Sequence, residues 1–330
     1  MKKKVSIGID IGGTNTVYGI LDRDGKFLAQ GCISTKDHKE IEVFLAALNE
    51  KIRLSLRKLN NRIVVEGIGI GAPMGNINKG TIEYSADLPW KGVIPLADLF
   101  RNFTNLPVIV TNDANAAAVG EMIYGGARGM RNFVVITLGT GLGSGFVVNG
   151  ELVYGHDGFA GELGHTTIRP GESNRECGCG RKGCLETYVS ASGIKRTMFK
   201  LMADMIDDSP LKGISFNDLT ASMISDAAKE GDKIAIRAFE HTGKMLGFKL
   251  ADVVAHTNPE AIFLFGGLAL AKDLIFEPTR RYMEQNLLSI YKGKIKLLPS
   301  KLNSQNAAVL GASALVWNYA ENGDTEKFST

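Results

Sequence analysis

Twice along the chain an apolar run breaks at a glycine-rich turn and resumes at once as a second apolar run, and this repeat constrains the fold more than any other feature. The first copy is Val5-Ser6-Ile7-Gly8-Ile9-Asp10, the turn Ile11-Gly12-Gly13-Thr14-Asn15, and Thr16-Val17-Tyr18-Gly19-Ile20-Leu21. The second runs from Phe133 to Val148 around Thr137-Leu138-Gly139-Thr140-Gly141-Leu142-Gly143. Such runs are too short for a helix and match strands, and the glycines between them read as hairpin turns. Two similar α/β halves follow from the repetition.

The remaining segments fit that plan. Asp24-Gly25 is a turn into a third strand, Lys39 to Leu59 has apolar residues at helical spacing, and Val64 to Ile70 returns as a strand, which makes a β-α-β crossover. Pro107 to Thr111 reads as a strand running into a helix at Asn115 to Tyr124. Helices are expected at Val189 to Met205, Ile234 to His256, Phe276 to Leu288 and Ala307 to Ala320, with a strand at Ala261 to Phe265 that Gly266-Gly267 ends. The polar residues after Glu321 look frayed. At 330 residues the chain exceeds the roughly 250 to 300 at which one core stops growing, so two lobes and a cleft are expected. The small lobe is read as residues 1–112 plus a C-terminal helix at about 308–330, and the large lobe as 113–307.

Composition excludes several classes. Apolar residues make up 44% and charged residues 22%, so the chain has the balance of a globular protein. With 38 basic and 35 acidic residues the net charge is only +3, which gives no footprint for nucleic acid. The start Met1-Lys2-Lys3-Lys4 could open a signal peptide, but the apolar stretch after it reaches Asp10 and has no cleavage site. No apolar run is long enough to span a membrane, and a soluble cytoplasmic protein is expected. Three of the four cysteines crowd into Cys177, Cys179 and Cys184, a pattern closer to a metal cluster than to a disulfide framework. Cys32 stands alone and reads as a buried strand residue.

The turn at Asp10 to Thr14 lets backbone N–H groups approach an anion, with the Thr14 hydroxyl as a further donor. It is either a phosphate loop without a lysine or simply a tight hairpin. Gly139, Thr140 and Gly141 repeat it, and two such loops could clamp a polyphosphate. Gly266 and Gly267 supply a third close backbone approach, suited to the adenine or α-phosphate region. Asn112 and Asp113 stand at the carboxyl end of a strand, where ligands bind in open α/β sheets. Asp113 could take the proton of an attacking hydroxyl, or it could only cap the helix that follows. Glu162, His165 and Glu186 lie in a glycine-rich segment and could read the hydroxyls of a polyol, or belong to a surface loop.

Asp10 to Thr14, Asn112-Asp113, the 137–145 glycine loop, Gly161-Glu162-Leu163-Gly164-His165 and Cys177-Gly-Cys-Gly-Arg-Lys-Gly-Cys184-Leu-Glu186 together resemble the ROK family of repressors and sugar kinases. The likeness covers nearly the whole chain and is strongest to the bacterial glucokinase branch. It implies a two-lobed actin-like ATPase fold, of the ribonuclease H-like kind, with a structural zinc site. It also implies Mg-ATP and a hexose as substrates, zinc as a bound metal, and a homodimer. Asp113 becomes the general base, Asn112 a sugar hydrogen-bonder, and Glu162, His165 and Glu186 sugar contacts. Asp10 would hold Mg²⁺ through water, and glucose is the expected hexose among several possible ones.

Cys177-x-Cys179-x₄-Cys184 supplies three thiolates and His165 a fourth ligand, which makes a closed tetrahedral zinc site with no open position for water. One ring nitrogen of His165 would hold the metal while the other reads a sugar hydroxyl. His38, His156, His241 and His256 have no partner spacing and read as surface or packed residues. Pro73-Met74-Gly75 and Ser85-Ala86-Asp87-Leu88-Pro89-Trp90 resemble two substrate-side loops, with Asp87 where many relatives carry Asn. Asn303-Ser304-Gln305-Asn306 replaces acidic residues often found there, and no nucleotide role is assigned to it. A sugar-sensing repressor is a rival reading, disfavoured because the first strand begins at Val5 with no helix-turn-helix before it. A chaperone-type ATPase is another, disfavoured by the cysteine cluster.

Overall fold

The computed structural model describes residues 2–59, 63–168, 171, 174–302 and 307–322. The segments 303–306 and 323–330, for which the sequence suggested a lost acidic motif and fraying, lie outside the described residues. The chain divides into two compact units. The first comprises Met1–Gly129, Leu152–Ala160 and Lys301–Thr330, and the second Met130–Glu151 and Gly161–Ser300.

In the first unit the opening meander forms as read. Strands β1 (Lys3–Ile11), β2 (Asn15–Asp22) and β3 (Phe27–Ser34) pair antiparallel, and β4 (Ile63–Gly71) joins β1 in parallel after helix α1 (Ile41–Lys58). The helix places Ile41, Phe44, Leu45, Leu48 and Ile52 on one buried face, as its spacing requires. Full burial of one such side chain contributes about 1.5–3 kcal/mol. A small sheet of β5 (Gly75–Asn76), β6 (Thr81–Glu83) and β7 (Val93–Ile94) follows, then α2 (Leu96–Arg101). Strand β8 (Val108–Thr111) completes the main sheet in the order β3-β2-β1-β4-β8 and leads into α3 (Asp113–Ile123).

The second unit repeats the plan. Strands β9 (Phe133–Leu138) and β10 (Leu142–Val148) make the hairpin, with β11 (Glu151–Leu152) at the edge. Helices α4 (Ala191–Asp204), α5 (Ala221–Lys229) and α6 (Lys233–Thr257) precede β12 (Ala261–Phe265), which pairs β9 in parallel. Helix α7 (Asp273–Asn286) and strand β13 (Lys296–Pro299) complete the order β11-β10-β9-β12-β13. The last helix, α8 (Ala307–Asn322), returns to the first unit.

Two expectations are corrected. The unit boundary expected at 112 lies at 129, because α3 packs on α8 and on β4 rather than leaving the first unit. Small residues cause this: a Cβ on Gly311 would lie 2.3 Å from the carbonyl oxygen of Ala116, so the two helix backbones approach as only glycine permits. Residues 152–160 also rejoin the first unit, where the Asn76 amide donates to the carbonyl of Asp157 at 2.7 Å. Cys32 is exposed rather than buried, because β3 is the edge strand of its sheet. Among the described residues no helix is long and apolar enough to cross a membrane.

Candidate active site

In the first unit the glycine turn is the hairpin joining β1 to β2, closed by the Gly12 N–H donating to the carbonyl of Asn15 at 3.1 Å. Thr14 is exposed beside it. A Cβ on Gly13 would lie 2.4 Å from the carbonyl oxygen of Asp87, so the missing side chain there makes room for the 85–90 loop. Asp10, next to last in β1, stands opposite Gly71 of β4. Burial, and secondarily the Asp113 carboxylate, push its pKa up to about 7.

Helix α3 begins at Asp113, two residues earlier than its periodicity suggested, and its N-cap is Asn112. The Asn112 Oδ1 accepts from the Ala114 N–H at 2.8 Å, and the Asp113 Oδ1 accepts from the same N–H at 2.7 Å. Capping is thus chiefly Asn112's part, and Asp113 is the first helical residue, its side chain still open to solvent. Its pKa is raised by the surrounding protein and further by the Asp87 carboxylate, against the lowering effect of the Ala114 N–H. A carboxylate so placed is a better proton acceptor than an ordinary surface aspartate. Asp10, Asp87 and Asp113 therefore form one interacting acidic group.

In the second unit the 139–141 turn is held by α4. The Ala191 N–H donates to the carbonyl of Gly139 at 2.8 Å and the Ser192 hydroxyl to the carbonyl of Thr140 at 2.9 Å. Strand register sets Phe265 beside Thr137, so Gly266 and Gly267 come together with this turn at the carboxyl ends of neighbouring parallel strands. Gly266 has φ of 102°, and a Cβ on it would meet the Leu138 carbonyl at 2.6 Å, whereas Cβ atoms on Gly139 and Gly267 would meet nothing within 4 Å. Those two positions leave open backbone of the kind that admits a phosphate or a base.

Glu162 precedes a single 3-10 turn at Leu163–His165, and Glu186 sits in a second such turn at Leu185–Thr187. The two turns bring three of the predicted sugar contacts, Glu162, His165 and Glu186, together, while Asn112 and Asp113 belong to the first unit, at the start of α3. His165 Nε2 is 4.0 Å from Glu162 Oε2, and His165 Nδ1 is 3.7 Å from Glu186 Oε1. The other Glu186 oxygen, Oε2, lies 2.8 Å from where a Cβ on Gly141 would stand, which ties the carboxylate to the glycine turn.

One ligand atom from each of His165, Cys177, Cys179 and Cys184 lies within 4.8 Å of all the others. His165 Nδ1 is 3.6 Å from Cys177 Sγ, and the Sγ atoms of Cys179 and Cys184 are 3.7 Å apart. A tetrahedral zinc with bonds of 2.3 Å to sulfur has S–S edges of about 3.8 Å, so this donor set fits the ion. Burial alone would raise Cys179, but the Arg181 backbone and guanidinium and the two neighbouring thiols outweigh it and bring its pKa down to about 6.

The sequence reading overlooked four residues. Ala191 and Ser192 hold the second glycine turn, and their signal is the Ser190 N-cap of α4. Arg175 donates to the carbonyls of Thr187 and Gly193 and stacks on Tyr188 at 4.4 Å, fastening the cysteine loop to α4. Lys91, which follows the Asp87 loop, has no motif that would have disclosed it.

Two α/β units, each with a glycine turn between its first two strands, together with a three-cysteine, one-histidine cluster, define the fold of the sugar kinases. The model of the ROK family matches residues 6–318, and the chain belongs to that family. It is 33% identical over 320 residues to a glucokinase of Halalkalibacterium halodurans, covering 96% of each chain. It is 32% identical to a xylose repressor of Caldicellulosiruptor bescii, covering 94% of this chain and 77% of the repressor. The crystal structure of a Streptomyces griseus ROK glucokinase in complex with glucose and AMPPNP superposes with a TM-score of 0.78 at 30% identity, covering 95% of this chain and 99% of that one.

Proposed function

We propose that the protein transfers the γ-phosphoryl group of ATP to a hydroxyl of a hexose, converting glucose to glucose 6-phosphate. The observation that carries this reading is Asp113, a carboxylate at the start of α3 whose affinity for protons is raised by its surroundings. Likeness to a glucokinase that binds glucose and an ATP analogue supports the choice of substrates. Phosphoryl transfer asks the protein mainly for positioning and charge neutralisation, and one well-placed base.

Each residue has a part in this account. Asp113 takes the proton of the attacking hydroxyl as the bond to phosphorus forms and the bond to the ADP oxygen breaks. Asn112, Glu162, His165 and Glu186 hold the other hydroxyls. The turns at Gly12, Gly13 and Thr14 and at Gly139, Thr140 and Gly141 receive the phosphates, and Gly266 and Gly267 the nucleoside side. Asp10 suits the magnesium that accompanies ATP, which neutralises phosphate charge when bound. His165, Cys177, Cys179 and Cys184 suit a structural zinc, which would orient the imidazole with Nδ1 on the metal and Nε2 toward substrate. The finer reading of the fold as an actin-like, ribonuclease H-like ATPase is what the family resemblance implies, and the repeat of strand, glycine turn and strand agrees with it.

Coupled ADP-release assays over a panel of hexoses test the reading. Glucose is expected to have the highest kcat/KM, and a tenfold preference for fructose, mannose or an N-acetylhexosamine would reassign the substrate. The likeness to a repressor sustains a second reading as a sugar-responsive regulator. In that case sugar would bind without stimulating ADP release.

A further inference from the structure

Residues 84–92 form a closed loop. The Tyr84 N–H donates to the carbonyl of Gly92 at 2.8 Å, and both residues take left-handed φ, 54° and 81°. Glycine adopts this conformation freely, but a tyrosine does so only when its surroundings impose it. Ser85, Leu88 and Trp90 are buried, the last two in the core of the first unit. The Trp90 indole donates to the carbonyl of His38 at 3.1 Å, and its ring packs 4.7 Å from Phe44 of α1. Asp87 stands exposed at the crown. Its carbonyl occupies the space that a side chain on Gly13 would fill.

Lys91 is an exposed residue, yet its ammonium is committed to this loop. Nζ lies 2.8 Å from the carbonyl oxygen of Leu88, 3.1 Å from that of Ala86 and 3.4 Å from that of Ser85. An ammonium has three N–H donors, and here three acceptors from four consecutive residues converge on it. A solvated lysine side chain has much rotamer freedom to lose, so such convergence marks an organising contact rather than an idle surface cation.

We propose that Lys91 is a positioning residue for the phosphoryl transfer: it gathers the carbonyls of Ser85, Ala86 and Leu88 and so fixes Asp87 between the Gly13 turn and Asp113. This rests on the kinase reading above. Lys91 touches no substrate in this account and acts through the loop alone. An arginine does not replace it, because a planar guanidinium spreads its donors in a fork and cannot bring three to a point.

The test compares Lys91→Met and Lys91→Arg with the unaltered protein, each also in an Asp87→Ala background. Lys91→Met is expected to raise the KM for sugar tenfold or more. Amide hydrogen exchange across residues 85–90 should quicken with no substrate present. Lys91→Arg should restore neither. With Asp87 already replaced by Ala, Lys91→Met should add less than twofold. The proposal is overturned if Lys91→Met leaves sugar KM and exchange unchanged, if Arg restores both, or if the two substitutions multiply independently. An unaltered protein without hexose-stimulated ADP release would remove the kinase reading and this role with it. Unchanged exchange in an active enzyme would remove the role of Lys91 alone.

Discussion

Cys177 donates its thiol proton to Glu186, with Sγ 3.0 Å from Oε1. A carboxylate assigned to the sugar is thereby joined directly to a member of the metal-type cluster. When a metal takes the thiolate, that hydrogen bond disappears and the Glu186 oxygen becomes available to a hydroxyl. Protein purified without chelator is expected to contain one zinc per chain by elemental analysis. Stripping the metal, or Cys179→Ser, should weaken glucose binding about 10- to 100-fold by calorimetry, the range seen when groups that orient such a site are lost. Normal glucose affinity in metal-free protein would reduce the cluster to a distant staple.

Asp113 and Glu162 should separate in kinetics. Asp113→Asn keeps size and hydrogen-bonding reach but cannot take a proton, so kcat should fall by roughly 10² to 10⁴ while glucose affinity largely survives. Glu162→Gln should act chiefly on affinity. Steady-state rates beside calorimetric titration distinguish the two, and near-normal kcat with weakened binding in Asp113→Asn would make Asp113 a binding residue.

The acidic group at Asp10, Asp87 and Asp113 sets two pH dependences. Partial desolvation by the surrounding protein and the Asp87 carboxylate hold Asp113 above its ordinary range. A base must be ionised to act, so kcat/KM should fall as pH drops through that raised value. Asp87→Asn removes a repelling charge, and the acid limb should move to lower pH.

Asp10 has the converse effect on stability. Folding raises its pKa from 3.8 to about 7, so between those values the folded chain holds a proton that the unfolded chain has released. Stability of the ligand-free protein should therefore decline as pH rises from about 4 to about 7. Thermal unfolding across that window should show a flatter profile for Asp10→Asn.

The open backbone at Gly139 gives a steric prediction. A Cβ there meets nothing in the protein, so Gly139→Ala should leave Tm unchanged. If the phosphates of ATP use that space, KM for ATP should rise tenfold or more, equivalent to about 1.4 kcal/mol. An unchanged KM would move the phosphates away from this turn.

The two hairpins, the longer strands of the first sheet, β12 and the long helices were legible because their patterns are local, whereas the short strands β5, β6, β7, β11 and β13 were not read from the sequence. The β1–β2 and β9–β10 hairpins appear as apolar runs around glycines, and α1 as five buried apolar positions. The cysteine cluster was legible from spacing, and His165 joins it as expected. What sequence could not disclose depends on tertiary packing. The place of α3 in the first unit follows from Gly311 meeting Ala116, nearly two hundred residues apart in the chain. The role of Gly13 likewise depends on a distant loop, since its missing side chain accommodates the Asp87 carbonyl. Lys91 organises three carbonyls through a side chain whose residue type and neighbours suggest only a solvated surface.

The central claim is tested most directly by identifying the product. Incubation with glucose and ATP labelled in the γ-phosphate should yield labelled glucose 6-phosphate, one for each ADP formed, and Asp113→Asn should nearly abolish it. ADP formation with the label released as inorganic phosphate, unchanged by omitting the sugar, would contradict the account.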